Sequence, residues 1–300
     1  MSLIAKENVW QWYEDNKELF DPPVCNKLMH RDQLTIMFVG GPNTRTDFHL
    51  DQGSEFFYML RGNMQLPIIE KGKKRIIDIK EGEVFLLPSC VPHSPQRPEQ
   101  GSLGLVVERR RLQGEVDGLR WYTDFENPTT VLWEKFFQCF DLGRDLVPVV
   151  QEFHASPEKA SNKPSEKSVY KELPFKINDK VEVPSPFSLN DWLKTNEKDL
   201  NGGKALNLFP DHPDKEFNIK VCGGPSKQSD QWQHETWLYQ LKGGLKIKIE
   251  DGEWETIKEG ECAIVGRNKK FQVEREKDSI GFWLKQDPCG NNPENANRKE

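Results

Sequence analysis

His49, Glu55 and His93 are the side chains of this chain best suited to do chemistry together. Two neutral imidazoles and one carboxylate can hold one face of an octahedral divalent metal and leave the opposite face open. That is the ligand set of non-haem Fe(II) oxygenases. His49 and Glu55 lie in Arg45-Thr-Asp-Phe-His49-Leu-Asp-Gln-Gly-Ser-Glu55, and His93 lies in Pro88-Ser-Cys-Val-Pro-His93. A single His in a strand is usually structural, but two with a Glu at this spacing point to a metal. Arg97 follows His93 by four residues, and Arg45 precedes His49 by four. In extended chain an even separation puts both on the face of the neighbouring imidazole. A guanidinium can grip a carboxylate through two parallel hydrogen bonds, so Arg97 suits an acidic substrate. Arg45 suits bound oxygen or developing negative charge. Asp47 shares the face of His49 and is a candidate for proton handling, with an ordinary turn role as its rival.

The elements that must position these groups read as short strands. Apolar runs cover Leu34 to Val39, Phe56 to Leu60, Met64 to Ile69, Ile76 to Ile79, Val84 to Leu87 and Leu103 to Val107. Arg61-Gly62-Asn63 and Lys71-Gly72-Lys73 look like hairpin connections between them. Closely spaced short strands with such turns argue a β-barrel or sandwich. Residues 5 to 19 read as an amphipathic helix ended by Asp21-Pro-Pro. Val131 to Phe153 carries helical spacing through Leu132, Phe136, Phe140, Leu146, Val149, Val150 and Phe153, and is expected to pack outside the barrel. Ser156 to Lys180 is rich in Lys, Glu, Ser and Pro, which predicts an exposed linker at its centre. Ser188-Leu-Asn-Asp191 reads as a capped helix start.

The second half repeats the first. Tyr58-Met-Leu60-Arg-Gly62 resembles Tyr239-Gln-Leu241-Lys-Gly243, and Glu81-Gly-Glu83 resembles Glu259-Gly-Glu261, in the same order and at nearly the same separation. Two tandem copies of one barrel account for this. Aligning the copies puts Asp230 opposite His49, Thr236 opposite Glu55 and Phe271 opposite His93. The second copy is therefore expected to hold no metal, despite the nearby His234 and Glu235. Trp232, Trp237, Trp254 and Trp283 read as its core. The expected organisation is a catalytic domain over 1–160, a linker over 161–180 and a degenerate domain over 181–300.

Charged residues make up 30% of the chain and its net charge is -6. That balance gives no general reason to bind nucleic acid or an anionic membrane. The basic run Arg109-Arg110-Arg111 reads as a solvated or salt-bridged strand end. No apolar stretch approaches the roughly 18 residues needed to span a bilayer. The first residues lack an apolar signal core. Six scattered cysteines without a Cys-x-x-Cys pair suit free thiols in a cytosolic protein.

The spacings Glu55 to Gly62, and Gly82 to Pro88 to His93, resemble the two motifs of cupins. Asp51 stands where the second His of the first motif is usual, which reduces four protein ligands to three. Cys90 replaces the usual Gly after the proline. Further segments are similar to the 3-hydroxyanthranilate 3,4-dioxygenase family. They are Gly40-Gly-Pro-Asn-Thr-Arg45-Thr-Asp-Phe-His49, Glu55-Phe-Phe-Tyr58, Val91-Pro-His93-Ser-Pro-Gln-Arg97, Gly104-Leu-Val-Val-Glu108-Arg-Arg-Arg111 and Gly118-Leu-Arg-Trp-Tyr. The resemblance covers essentially the whole chain and is most specific over residues 38 to 122.

It implies an all-β bicupin with peripheral α-helices, of the long, monomeric kind found in animals. The paired cysteines of the short bacterial forms are absent. It also implies one Fe(2+) per chain on His49, Glu55 and His93. The substrate, 3-hydroxyanthranilate, would contact Arg97, Glu108 and Glu55, and Arg45 would face O2. Glu108 is assigned by the resemblance to the substrate's polar substituents. The implied reaction opens the ring to 2-amino-3-carboxymuconate semialdehyde, the precursor of quinolinate in tryptophan-kynurenine catabolism and NAD synthesis. The residues alone leave two rivals open: a metal-dependent isomerase or hydrolase, and a non-enzymatic binder of a small aromatic acid.

Overall fold

The computed structural model of the chain describes residues 5–20 and 25–299. The expected helix stop at Asp21-Pro-Pro lies outside the described residues. In chain order the elements begin with β1 (Ala5–Asn8) and α1 (Val9–Asn16). Then come β2 (Asn26–Arg31), β3 (Leu34–Gly40), β4 (Phe48–Leu50), β5 (Glu55–Arg61), β6 (Met64–Glu70), β7 (Lys73–Ile79), β8 (Glu83–Leu87) and β9 (Leu103–Arg109). β10 (Asp117–Tyr122), β11 (Val131–Phe137), α2 (Leu142–His154) and α3 (Pro157–Ser161) follow. The second half holds β12 (Phe187–Ser188), α4 (Leu189–Thr195), α5 (Glu197–Asn201), β13 (Ala205–Asn207), β14 (Phe217–Gly223) and β15 (Ser226–Gln231). It closes with β16 (Thr236–Lys242), β17 (Leu245–Ile249), β18 (Trp254–Ile257), β19 (Glu261–Val265), β20 (Lys270–Arg275) and β21 (Ile280–Gln286).

The chain divides into two compact units. One comprises Leu19–Phe187 with the residues from Glu294 onward, and the other comprises Ser188–Pro293 with the residues up to Glu18. Every apolar run of the first half is a strand. The main sheet of the first unit runs β12-β8-β5-β9-β3-β2, and that of the second runs β1-β19-β16-β21-β14-β13. The five strands β8-β5-β9-β3-β2 and β19-β16-β21-β14-β13 are thus the same arrangement built twice, as expected of a bicupin.

The repeated motifs have a physical reason. Gly62 and Gly243 adopt φ of 68° and 65°, and Gly82 and Gly260 adopt 77° and 78°, a region glycine enters without a steric cost. The Gly62 N–H donates to Glu81 Oε2 at 2.7 Å, and the Gly243 N–H to Glu259 Oε2 at 3.0 Å. The Gly82 N–H reaches the Met59 carbonyl and the Gly260 N–H the Gln240 carbonyl, at 2.8 and 2.9 Å. Each Leu-x-Gly turn is therefore locked to its Glu-Gly-Glu turn by the same bonds. Arg61-Gly62-Asn63 is a corner and not a hairpin, because β5 stays in the main sheet while β6 pairs with β7. Lys71-Gly72 is a hairpin turn, with φ of 50° and 76°.

Other expectations are corrected. The amphipathic N-terminal segment begins as strand β1, paired with β19, and only then becomes α1 behind the cap Asn8. Val131 to Phe137 is strand β11, not helix. Leu132 and Phe136 are four apart, which fits a period of two as well as one of 3.6, and the β-branched and aromatic content favours the strand. Residues 162–180 are largely exposed, but they are tied down rather than free. The Ser168 hydroxyl donates to the Leu132 carbonyl at 3.0 Å, and Tyr170 and Phe175 meet the Phe136 ring. Ser188 caps α4 as expected, accepting from the Asp191 N–H.

The core of the first unit gathers Phe57, Leu66, Ile68, Phe85, Leu87 and Val106. Burial of each such side chain stabilises by about 1.5–3 kcal/mol. α2 packs Val149 and Phe153 against Trp121 and Trp133, with Phe153 stacked on Trp121 at 4.1 Å between centroids. In the second unit Trp237 and Trp283 are core, whereas Trp232 is half-buried and Trp254 is exposed.

Candidate metal centre

β4 carries His49, and it pairs with the extended segment that carries His93. The His49 N–H donates to the His93 carbonyl at 2.7 Å, and the His93 N–H donates back at 3.0 Å. Glu55 opens β5, opposite Leu87 of β8. Their ligand atoms all lie within 4.8 Å of one another, and all three residues are buried. The His93 Nδ1–H donates to the Val91 carbonyl at 2.9 Å, which leaves Nε2 facing Glu55 Oε1 at 2.9 Å. A buried carboxylate oxygen and an imidazole nitrogen that converge at ion-pair distance beside a second imidazole are a donor set that fits a divalent cation. Burial alone would raise the Glu55 pKa, but the charge of His93 holds it low. Burial would lower His93, and Glu55 outweighs it and raises it. A metal entering the cluster displaces that proton.

Asp51, in the place of a fourth ligand, is turned away from the cluster. Its Oδ1 accepts from the Gly53 N–H at 2.7 Å, and its Oδ2 meets Arg111 Nη2 at 2.5 Å. The set of three donors is thus enforced by an ion pair.

His49, Glu55 and His93 open onto a cavity of about 590 Å³, counting its mouth, that Arg45, Arg97 and Glu108 also line. Phe57, Leu142 and Leu146 supply apolar wall. Arg97 is 3% exposed and its buried Nε has no hydrogen-bond partner. Burial pushes its pKa down to about 10; Glu55 opposes that and Arg45 adds to it. Arg45 and His49 are not on one strand, because β4 begins only at Phe48. Arg45 reaches the cavity from the preceding loop, where Gln96 bonds both its N–H, at 3.0 Å, and its carbonyl, at 2.8 Å. Its guanidinium is also held by Asp47, through Nε to Oδ1 at 3.0 Å. The Asp47 carboxylate is engaged there and is not among the groups that line the cavity. Glu108 is pushed up to about 8 by burial and by the charges of Glu55 and Asp51, against the pull of Arg111.

Two residues that sequence reasoning missed complete the surroundings. Arg111 donates to Glu108 Oε2 at 2.5 Å and to both Asp117 oxygens at 2.9 and 2.8 Å. Asp117 in turn meets His49 Nε2 at 2.8 Å. Arg109 is buried on Glu115, so of the three arginines only Arg110 is solvated. The available signal was the alternation Glu108, Arg109, Arg111 and Glu115, Asp117 next to a wholly apolar strand. The other omission was the first turn of α2, expected outside the barrel, which places Leu142 and Leu146 in the cavity wall.

The second unit keeps the register and loses the chemistry. β15 pairs Asp230 with Phe271 as His49 pairs with His93, and Thr236 stands opposite Val265 as Glu55 stands opposite Leu87. Lys285 forms an ion pair with Asp230, and its ammonium lies 5.0 Å above the Trp232 ring. Among the described residues, His49, Glu55 and His93 are the one group of three His, Cys or carboxylate side chains arranged to hold a metal.

Fold and site together define a two-barrel cupin with a buried His–Glu–His centre in its first barrel. A solved cupin 2 conserved barrel domain protein from Leptotrichia buccalis supports the fold, with a TM-score of 0.50 and 13% identity over 95% of this chain and 96% of that one. The chain belongs to the 3-hydroxyanthranilic acid dioxygenase family, whose family model matches residues 1–154. It is 42% identical to the 3-hydroxyanthranilate 3,4-dioxygenase of Mus musculus over 97% of this chain and 99% of that one. Identity to the human enzyme of that name is 40% over 94% of this chain and 96% of that one, and to the Nematostella vectensis enzyme 42% over 94% and 99%.

Proposed function

We propose that the chain is a non-haem Fe(II) dioxygenase that opens the ring of 3-hydroxyanthranilate with O2 to 2-amino-3-carboxymuconate semialdehyde. One Fe(2+) per chain is held by His49, Glu55 and His93. The observation that carries this reading is the buried Arg97 guanidinium, whose Nε has no hydrogen-bond partner, in the same cavity as His49, Glu55 and His93. A buried guanidinium with an unsatisfied donor is costly, and a substrate carboxylate would satisfy it.

The iron, when bound, supplies a Lewis acid, a template for both reactants and redox chemistry. The protein supplies the rest. Arg97 takes the substrate carboxylate and so fixes the ring's orientation. Glu108, protonated through much of the neutral range, faces the hydroxyl and amine and can donate to them or accept their proton. Arg45, pinned by Asp47, contributes fixed positive charge where oxygen is reduced. Phe57, Leu142 and Leu146 restrict water. The degenerate second barrel has no part in the chemistry in this reading. The net charge of -6 and the engagement of Arg109 and Arg111 in internal ion pairs support a chain with no nucleic-acid partner, and the reading takes it to work as a monomer in the cytosol. Among the described residues no helix is long and apolar enough to cross a membrane.

The test is oxygen uptake by the iron-loaded chain with 3-hydroxyanthranilate. One O2 consumed per ring opened is expected. Turnover without O2 would point to an isomerase or hydrolase instead, and binding without turnover to a carrier.

A further inference from the structure

Asp117 is wholly buried, 0% exposed, at the start of β10, beneath the metal ligand His49 of β4. Its two oxygens are gripped by Arg111 through Nε and Nη2 at 2.9 and 2.8 Å, and its Oδ2 holds His49 Nε2 at 2.8 Å. The same guanidinium reaches Glu108 and Asp51. One arginine thus sits among three buried carboxylates. Such a cluster is expensive to bury, and apolar packing of equal volume would stabilise the fold at least as well. The pairing of β10 with β4 does not require it either, because the backbone register of Gly118, Leu119 and Arg120 with Leu50, His49 and Phe48 already joins them.

We propose that Asp117, clamped by Arg111, is the positioning residue for His49, and that Arg111 links this ligand to Glu108 on the substrate side. The proposal rests on the reading of His49, Glu55 and His93 as a divalent metal site. A carboxylate on one ring nitrogen fixes the tautomer and the plane of the imidazole and raises the basicity of the other nitrogen. With Nε2 engaged, Nδ1 is the lone pair that His49 can offer. His93 is fixed in the complementary way, through Nδ1 on the Val91 carbonyl, which frees Nε2. Arg111 keeps the Asp117 carboxylate from rotating, as a two-pronged grip on both oxygens does. A residue that sets a ligand's orientation controls metal affinity by about 10–100-fold.

The experiment uses the metal-free full chain and Co(II), titrated against a chromophoric chelator. Asp117→Asn is expected to weaken Co(II) binding about 10–100-fold and to change the visible ligand-field spectrum of the bound ion. The thermal midpoint of the metal-free chain should move little, because Arg111 keeps Glu108 and Asp51. Arg111→Lys, which keeps the charge and loses the fork, should give a smaller loss in the same direction and decides the matter if Asp117→Asn does not fold. Wild-type affinity and spectrum in the folded variants, whatever their thermal midpoints, would show a merely structural cluster and overturn the proposal. A wild-type chain that bound no Co(II) would remove the metal reading itself, which is a separate failure.

Discussion

At the scale of single residues, the first unit gathers charges that a folded core normally avoids, and each imbalance has a consequence that can be measured. Arg97 is a buried guanidinium with an unsatisfied Nε. Charged hydrogen bonds contribute about 1.5–3 kcal/mol, so Arg97→Ala should raise the KM for 3-hydroxyanthranilate about 10–100-fold while kcat falls less. Steady-state oxygen uptake reads this directly, and an unchanged KM removes the carboxylate assignment. Glu108 offers a pH test. Its folded pKa of about 8 lies above the ordinary value of roughly 4.3. The folded chain therefore holds a proton that the unfolded chain has lost between those values, and stability declines as pH rises through that window. The metal-free chain should lose thermal stability from about pH 5 to pH 8.5. Glu108→Gln should lose less over the same range in parallel melts. The lowered groups Glu55 and Asp117 act only below that window.

At the scale of elements, α2 decides how much of the cavity is wall. Its far end is anchored by Phe153 stacked on Trp121, and its first turn presents Leu142 and Leu146 to the cavity. Phe153→Ala removes a fully buried ring and should cost about 3–5 kcal/mol in denaturant unfolding. It should also raise KM, because the loosened helix no longer holds its first turn in place. A variant destabilised by that amount with unchanged KM would show that the first turn is held from elsewhere. The strands of the first half were readable because their apolar runs are bounded by glycine turns that obey local rules. β11 was not, because two residues four apart satisfy both periods and only pairing with β10 selects one. Arg61-Gly62-Asn63 failed as a hairpin for a related reason. The turn chemistry at Gly62 is local, but the sheet that the next strand joins is not.

At the scale of the whole molecule, one topology is built twice and armed once. In the second unit Trp237 pairs with Leu284 as Phe56 pairs with Val107, so the next residues, Lys285 and Glu108, stand at equivalent positions, and Lys285 forms an ion pair with Asp230, at the position of His49. An ammonium within the ligand positions repels a second cation. Restoring the ligands as Asp230→His, Thr236→Glu and Phe271→His should therefore leave metal content at one ion per chain. Adding Lys285→Met should permit a second. Elemental analysis of the purified variants distinguishes the outcomes, and a second ion without the Lys285 change would show that the lysine is not what excludes it.

The sequence by itself determined the three candidate donors that the fold brings together, the duplicated barrel and the residues that differ between its copies, because these depend on residue type and short spacing. His49, Glu55 and His93 are recognisable as donors, and the locked Gly62 and Gly82 turns carry the repeat in local chemistry. Only the tertiary structure decided where the long charged side chains point. Arg45 and Asp47 are two residues apart and bond to each other, not side by side into the cavity. Arg111 reads as a surface strand end and instead binds Glu108, Asp51 and Asp117. A guanidinium spans several ångströms and finds its partner by burial and geometry, which no spacing along the chain records. The His–Glu–His cluster was therefore legible from its donors, and the contacts that hold His49 and Glu108 became visible only when β4, β9 and β10 were brought together.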